Sequence, residues 1–424
     1  MRHLRGVKSL IHDAVDRTVD LVGVGHASAA RTVMRVLSQV DSLADPARDV
    51  NALREALTAA VLGSVKGVNR AVGQATDIAL DAFAPPSSAA TPLVPLRSDA
   101  SGAAWLADAA LGAANGVVGD HLASQGSTLD MRMALRGLDA WIETDGRGID
   151  PAATGRIVVL VHGLATTEWS WCLDAERYYG DAAANFGTLL ARDNGFTPVF
   201  ARYNSGRHVS ENGRALAERL EALVCAWPTT VDELALVGHS MGGLVVRSAT
   251  HVAQVEGFRW PERVRQVVTL ASPLQGAPLE KFGHVAGALL SAVDLPATAI
   301  SGQLIAGRSA GIKDLRFGSV QDSDWATGTQ LSPTSHARPP VALPPHIAWC
   351  FVAASVGAAP DDLVTSALGD LMVRLESASG PIDSPTHVTT RFVPGVHHAV
   401  VQVHPAVYDV VRTLLARGNN DSEA

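Results

Sequence analysis

Leu234-Ala235-Leu236-Val237-Gly238-His239-Ser240-Met241-Gly242-Gly243-Leu244-Val245 is a short apolar run, a glycine-flanked serine and the start of a second apolar stretch. The first four residues suit a buried strand, and Gly242 to Val255 has the spacing of a helix. Between them stands G-x-S-x-G. A serine on so tight a strand-to-helix bend is lifted above the sheet, with the helix N-terminus beneath it. Glycines are needed there because side chains at those positions collide, and the serine itself must take a strained backbone conformation. Ser240 is therefore the candidate nucleophile.

Outward from that bend the same rhythm repeats. Ile157–Val161 is a continuous apolar, β-branched run, as expected of a strand covered on both faces. Further strands are expected at 198–203, 264–270, 346–354 and 387–393, with helices at 181–193, 211–226 and 403–416. Strand–helix alternation predicts an α/β fold with a mostly parallel sheet flanked by helices. Residues 126–418 form this domain, and about 275–340 break the rhythm as an inserted cap. Residues 1–125 read as a helical N-terminal region. Leu4, Val7, Ile11, Ala14, Thr18 and Leu21 share one helix face, and Pro/Ser-rich residues near 84–96 mark a linker.

A serine hydroxyl needs a base, and an acyl-transfer transition state needs two N–H donors at its developing oxyanion. The amide of Met241, directly after the serine, is one candidate donor. The amide of Leu164, in the turn His162-Gly163-Leu164 after the Ile157 strand, is the other. In this order of elements the base follows the last strand. His397 and His398 stand there side by side, with His404 a more remote candidate. The acid follows the preceding strand, where Asp361, Asp362 and Asp370 are the candidates. His162, Gly163, Trp169 and His239 are expected to contact substrate. Arg202–His208 follows a strand at the same edge and either lines the pocket or turns the chain.

Composition narrows the class. Of 424 residues 47% are hydrophobic and 18% charged, enough apolar material for a large core. The net charge of −8 argues against a nucleic-acid partner. Cys172, Cys225 and Cys350 have no metal-ligand spacing and read as three packed thiols. No metal or organic cofactor is required. The basic start is interrupted by acidic residues and does not read as a secretory signal, and no stretch has the purity of a membrane span. A cytoplasmic protein is expected, with peripheral membrane contact through the N-terminal helices as an added expectation.

Several segments are similar to the lipase and esterase branch of the α/β-hydrolase superfamily, over about residues 155–416. Val161–Leu164 resembles the oxyanion loop of bacterial lipases, and Gly238–Leu244 their nucleophile elbow. Thr269–Ala277 resembles the segment after the next strand. Gly369–Val373 with Ser377 looks like the acid loop, although Leu371 replaces its usual glycine. Gly395-Val396-His397-His398 with Val407-Tyr408 resembles the ending that carries the base. Proteins similar to GPI inositol-deacylase share the arrangement. The resemblance implies a Ser240–His398–Asp370 triad and hydrolysis of carboxylic esters, lipid-like or acyl, through an acyl-enzyme. The alternatives are an acyltransferase using the same triad and a non-catalytic lipid-binding protein of the same fold.

Overall fold

The computed structural model describes residues 96, 103–277, 309–325, 341–362, 365–366, 369–370, 372–379 and 387–416. The expected N-terminal helices, nearly all of the linker and the apolar stretch 285–306 lie outside the described residues. The chain divides into two compact units. One comprises Thr91–Gly126, Asp130–Leu289 and Arg308–Ala424 and carries the sheet. The other, Met1–Ala90 with Ser127–Leu129 and Leu290–Gly307, falls almost wholly outside the described residues.

The first described helix, α1, spans Ala103–Ser124 and is bent at Val118. Although it was expected within the N-terminal region, it falls in the sheet-bearing unit. The reason is electrostatic as well as steric: Asp108 on α1 pairs with Arg202 at the end of a core strand (2.7 Å).

Eight strands follow: β1 (Ala134–Arg136), β2 (Trp141–Ile142), β3 (Arg156–Val161), β4 (Thr197–Arg202), β5 (Glu233–His239), β6 (Val264–Leu270), β7 (Ala348–Ser355) and β8 (Val388–Pro394). Their order in one sheet is β2-β1-β4-β3-β5-β6-β7-β8. The β4-to-β8 part is parallel throughout. Only the β1–β2 hairpin, which pairs antiparallel with β4, departs from this. Strands of three and two residues are too short to show periodicity, and the sequence reading did not separate them.

Helices cover both faces. The α2 helix is Ala175–Tyr179, α3 Phe186–Asn194, α4 Val209–Ala226, α5 Met241–Glu256, α6 Ala310–Phe317, α7 Leu375–Ala378 and α8 Pro405–Ala416. Side chains alternate along each strand. Ile157, Val159 and Val161 pack with Leu216, Leu220, Leu244 and Val245 of α4 and α5. Val158 and Leu160 pack on the opposite face with Leu189 and Leu190 of α3 and Val407 and Val411 of α8. Each such side chain contributes about 1.5–3 kcal/mol when fully buried. That double coverage is why these strands read as unbroken apolar runs.

One expectation about cysteine fails. Cys172 and Cys350 are buried, but Cys225 is exposed. It lies off the Leu216–Leu220–Leu223 stripe that α4 turns inward, so the helix period carries it to the outer face.

Within the expected cap the described elements are α6 and a 3-10 turn at Asp322–Asp324. Its start is fixed by Ser309, whose hydroxyl accepts from Ile312 N–H. Asp314 accepts from Val209 N–H (2.8 Å) and meets His208 Nδ1 (3.0 Å), tying α6 to the start of α4.

Candidate active site

Ser240 sits between β5 and α5 with φ 53° and ψ −121°, a region L-residues adopt only when their surroundings impose it. The imposition is steric. A Cβ on Gly238 would lie 2.6 Å from the Gly242 carbonyl carbon, and one on Gly242 would lie 2.3 Å from the Val161 carbonyl oxygen. The backbones of β3, β5 and α5 converge too closely for anything but glycine there. Ser240 N–H donates to Leu270 O (2.8 Å), which pins the bend to β6.

His398 lies just after β8 and is 6% exposed. Its Nε2 is 2.9 Å from Ser240 Oγ, and its Nδ1 is 2.7 Å from Asp370 Oδ2. Asp370 Oδ1 accepts from the Met372 and Val373 amides at 2.9 and 2.7 Å. A second tie joins the same loops, from His398 N–H to Asp370 O (2.9 Å). An ionised carboxylate only accepts, so Nδ1 carries the proton and Nε2 is left to accept from the serine.

The other candidates separate cleanly. Asp362 is spent on local amides, accepting from Ala358 and Ala359 at 2.8 and 2.9 Å and from Thr365 N–H, and these bonds hold its carboxyl down at about 2. Asp361 and Asp362 are on the surface, and His397 points outward. His404 packs edge-on against Tyr178 at the start of α8.

Met241 opens α5, so its N–H is among those a helix leaves without an internal acceptor. In the β3 turn, a Cβ on Gly163 would lie 3.1 Å from Ser240 Cβ. Leu164 follows directly. The next amide, Ala165 N–H, is already given to Ser205 Oγ (2.9 Å).

Three of the four expected substrate contacts are buried and bonded to other parts of the protein. His162 is fully buried and stacked on Tyr203 at 4.3 Å, and Tyr203 OH donates to its carbonyl (2.8 Å). Trp169 is 2% exposed and donates from Nε1 to Asp108 (3.0 Å). His239 is 5% exposed, with Nε2 3.2 Å from His398 O. Gly163 stands directly against the serine.

Burial drives His162 down to about 4, and drives His239 well below the usual histidine range, with the charge of His398 adding to the effect. The His239 ring, 5.0 Å from that of His398, is thus kept neutral, so an imidazolium formed on His398 faces the carboxylate of Asp370 without a cation on that neighbour.

Sequence reasoning missed the ionic frame behind the turn. Glu168, fully buried, meets Arg136 (3.2 Å) and Arg202 (2.6 Å), and Arg202 also binds Asp108. No local pattern could have signalled it, because the partners are 32 to 94 residues apart. Among the described residues no group of three His, Cys, Asp or Glu is arranged to hold a metal ion. No described helix is long and apolar enough to cross a membrane.

Residues 152–337 match the family model of the PGAP1-like alpha/beta domain. No curated protein matches the sequence. Similar solved structures include the mature lipase BlEst2 of Bacillus licheniformis, 16% identical over 63% of this chain and 94% of that one, TM-score 0.40. Phospholipase PlaB of Legionella pneumophila is 12% identical over 61% of this chain and 60% of that one, TM-score 0.38. A lipase-esterase related protein of Clostridium acetobutylicum is 13% identical over 68% of this chain and 98% of that one, TM-score 0.34. With its parallel sheet, its serine on the β5–α5 bend and its match over residues 152–337, the chain has the α/β-hydrolase fold and is similar to proteins of the lipase and esterase branch.

Proposed function

We propose that this protein is a serine hydrolase that cleaves carboxylic esters through an acyl-enzyme on Ser240. The observation that carries the reading is the continuous line from Ser240 Oγ through both nitrogens of His398 to Asp370. In the first half-reaction His398 Nε2 takes the hydroxyl proton as Oγ attacks the ester carbonyl. The tetrahedral oxyanion accepts from the amides of Met241 and Leu164. The C–O bond to the alcohol then breaks, and the imidazolium returns its proton to the leaving oxygen. Water, deprotonated by the same Nε2, attacks the acyl carbonyl in the second half-reaction, and the acid product leaves with Ser240 restored. Asp370 holds the imidazole and offsets its positive charge throughout.

The substrate class proposed is an acyl or lipid-like ester. The apolar composition of the sequence between 285 and 306 is the feature that favours it. Peripheral contact with a lipid surface through the N-terminal residues belongs to the same reading, and vesicle flotation of the full chain tests it.

The central experiment is turnover of p-nitrophenyl esters of graded chain length by the wild type and by Ser240→Ala. The variant is expected to lose at least about 10³-fold in kcat. Undiminished turnover in the variant rejects the assignment. A maximum at long chains supports a lipid-like substrate, and a maximum at acetate or butyrate replaces it with a short-chain ester.

A further inference from the structure

The turn that carries Leu164 is held from outside the site. Ala165 has φ 59°, which costs a residue with a side chain and persists only where neighbours enforce it. Two neighbours do so. Ser205, fully buried after β4, accepts the Ala165 N–H on its hydroxyl at 2.9 Å. From the other side the backbone of α1 presses on the same residue. A Cβ on Gly116 would lie 2.5 Å from Ala165 Cα and 2.8 Å from Ala165 N, and one on Gly112 would lie 2.9 Å from the carbonyl carbon of Thr166.

The two braces are themselves joined. Asn204 Nδ2 donates to Gly119 O of α1 (2.8 Å) and to Asp130 (2.6 Å), while its Oδ1 accepts from Gly206 N–H (3.0 Å). Ser309 Oγ donates to Gly116 O (2.7 Å), so the segment entering α6 closes over the same stretch of α1. Helix α1 and the 204–206 turn therefore form one hydrogen-bonded frame around Ala165. None of these groups reaches Ser240.

We propose that Ser205 and Gly116 are positioning residues that fix Ala165 and thereby aim the Leu164 N–H at the oxyanion formed on Ser240. The inference rests on the reading of Ser240 as nucleophile. A helix upstream of the first strand is, on this account, part of the apparatus that stabilises the transition state. Substrate binding in the ground state does not depend on it.

The test compares the full-length wild type with Ser205→Ala and Gly116→Ala. Ser205→Ala removes the acceptor and adds no atoms. Gly116→Ala adds one methyl group to a helix that intrinsically favours alanine, so lost activity is separable from a weakened helix. Measured are kcat, KM, the thermal midpoint, and Ki for a trifluoromethyl ketone, whose serine adduct bears the oxyanion. Each variant is expected to lose about 10- to 100-fold in kcat. KM should stay within about threefold, and Ki should rise by the factor lost in kcat/KM. A merely structural role leaves the Ki of the folded fraction unchanged. The inference is overturned if both variants fold and keep kcat and Ki within about twofold of wild type, or if the loss is confined to KM. If Gly116→Ala does not fold, Ser205→Ala decides alone. A wild type that turns over nothing, or whose turnover survives Ser240→Ala, fails the underlying reading instead and removes the inference with it.

Discussion

At the scale of single residues, the orientation of Asp370 makes a sharp prediction. Its Oδ1 is committed to two backbone N–H donors, so only Oδ2 faces His398. In Asp370→Asn the remaining oxygen stays with those amides, and the new NH2 is forced toward Nδ1. The imidazole must then carry its proton on Nε2 and cannot accept from Ser240. A loss of about 10³- to 10⁴-fold in kcat/KM at pH 7 is expected, from steady-state hydrolysis, with KM little changed; a loss under about tenfold would place the working acid elsewhere. His162 sets a pH dependence of stability. Its folded pKa is depressed to about 4 by burial, so between that value and about 6.5 only the unfolded chain takes up the proton. Stability contributed at pH 7 is therefore lost as pH falls. The loss from His162 alone is about 2 kcal/mol at pH 5; His239 adds to it in the same direction, and urea unfolding at pH 7 and pH 5 measures their sum. Equal stability at the two values contradicts a buried neutral imidazole.

Between elements, the ionic frame matters more than any single helix. Glu168 follows the β3 turn, Arg136 ends β1 and Arg202 ends β4, so three separate pieces meet at one carboxylate, and Asp108 on α1 joins them through Arg202. Arg136 and Glu168 are wholly buried. Glu168→Ala leaves two guanidinium groups facing each other without their shared partner, and a loss of about 3–5 kcal/mol is expected from urea unfolding. A value below about 1 kcal/mol is what an exposed pair gives, and would mean that water reaches the cluster. Because α1 is bound through Asp108 at one end and through Asn204 and Ser309 further along, the helix is fixed over the loops that border Ser240.

For the whole molecule, the sheet separates two apolar layers. Leu220 on α4 packs in one and Leu190 on α3 in the other, both fully buried. Each Leu→Ala change is expected to cost about 2–5 kcal/mol, and the double variant their sum to within about 0.5 kcal/mol, since side chains on opposite faces share no cavity. A larger coupling energy in denaturant unfolding would show that strain passes through the sheet. How much of this was legible beforehand follows from what kind of interaction each feature rests on. The six long strands and the elbow were readable because local periodicity and glycine sterics are written in consecutive residues, while the order serine, acid, histidine came from the resemblance. His397 against His398, and Asp370 against Asp361 or Asp362, were not decided by adjacency or spacing; resemblance favoured one of each. The choice became physical only when the 370 loop and the 398 loop were seen to share hydrogen bonds. His162 and Trp169 stood beside the site in sequence, yet their rings turn into the core. The bracing of Ala165 by Ser205 and Gly116 joins residues 40 or more positions apart, and no local pattern encodes such a contact. Sequence by itself determined the six long strands of the sheet, their two apolar faces and the bend that presents Ser240, because each depends on neighbours along the chain. Tertiary structure alone decided which acid and which imidazole meet that serine, and what holds the turn beside it, because those contacts exist only after distant loops have packed.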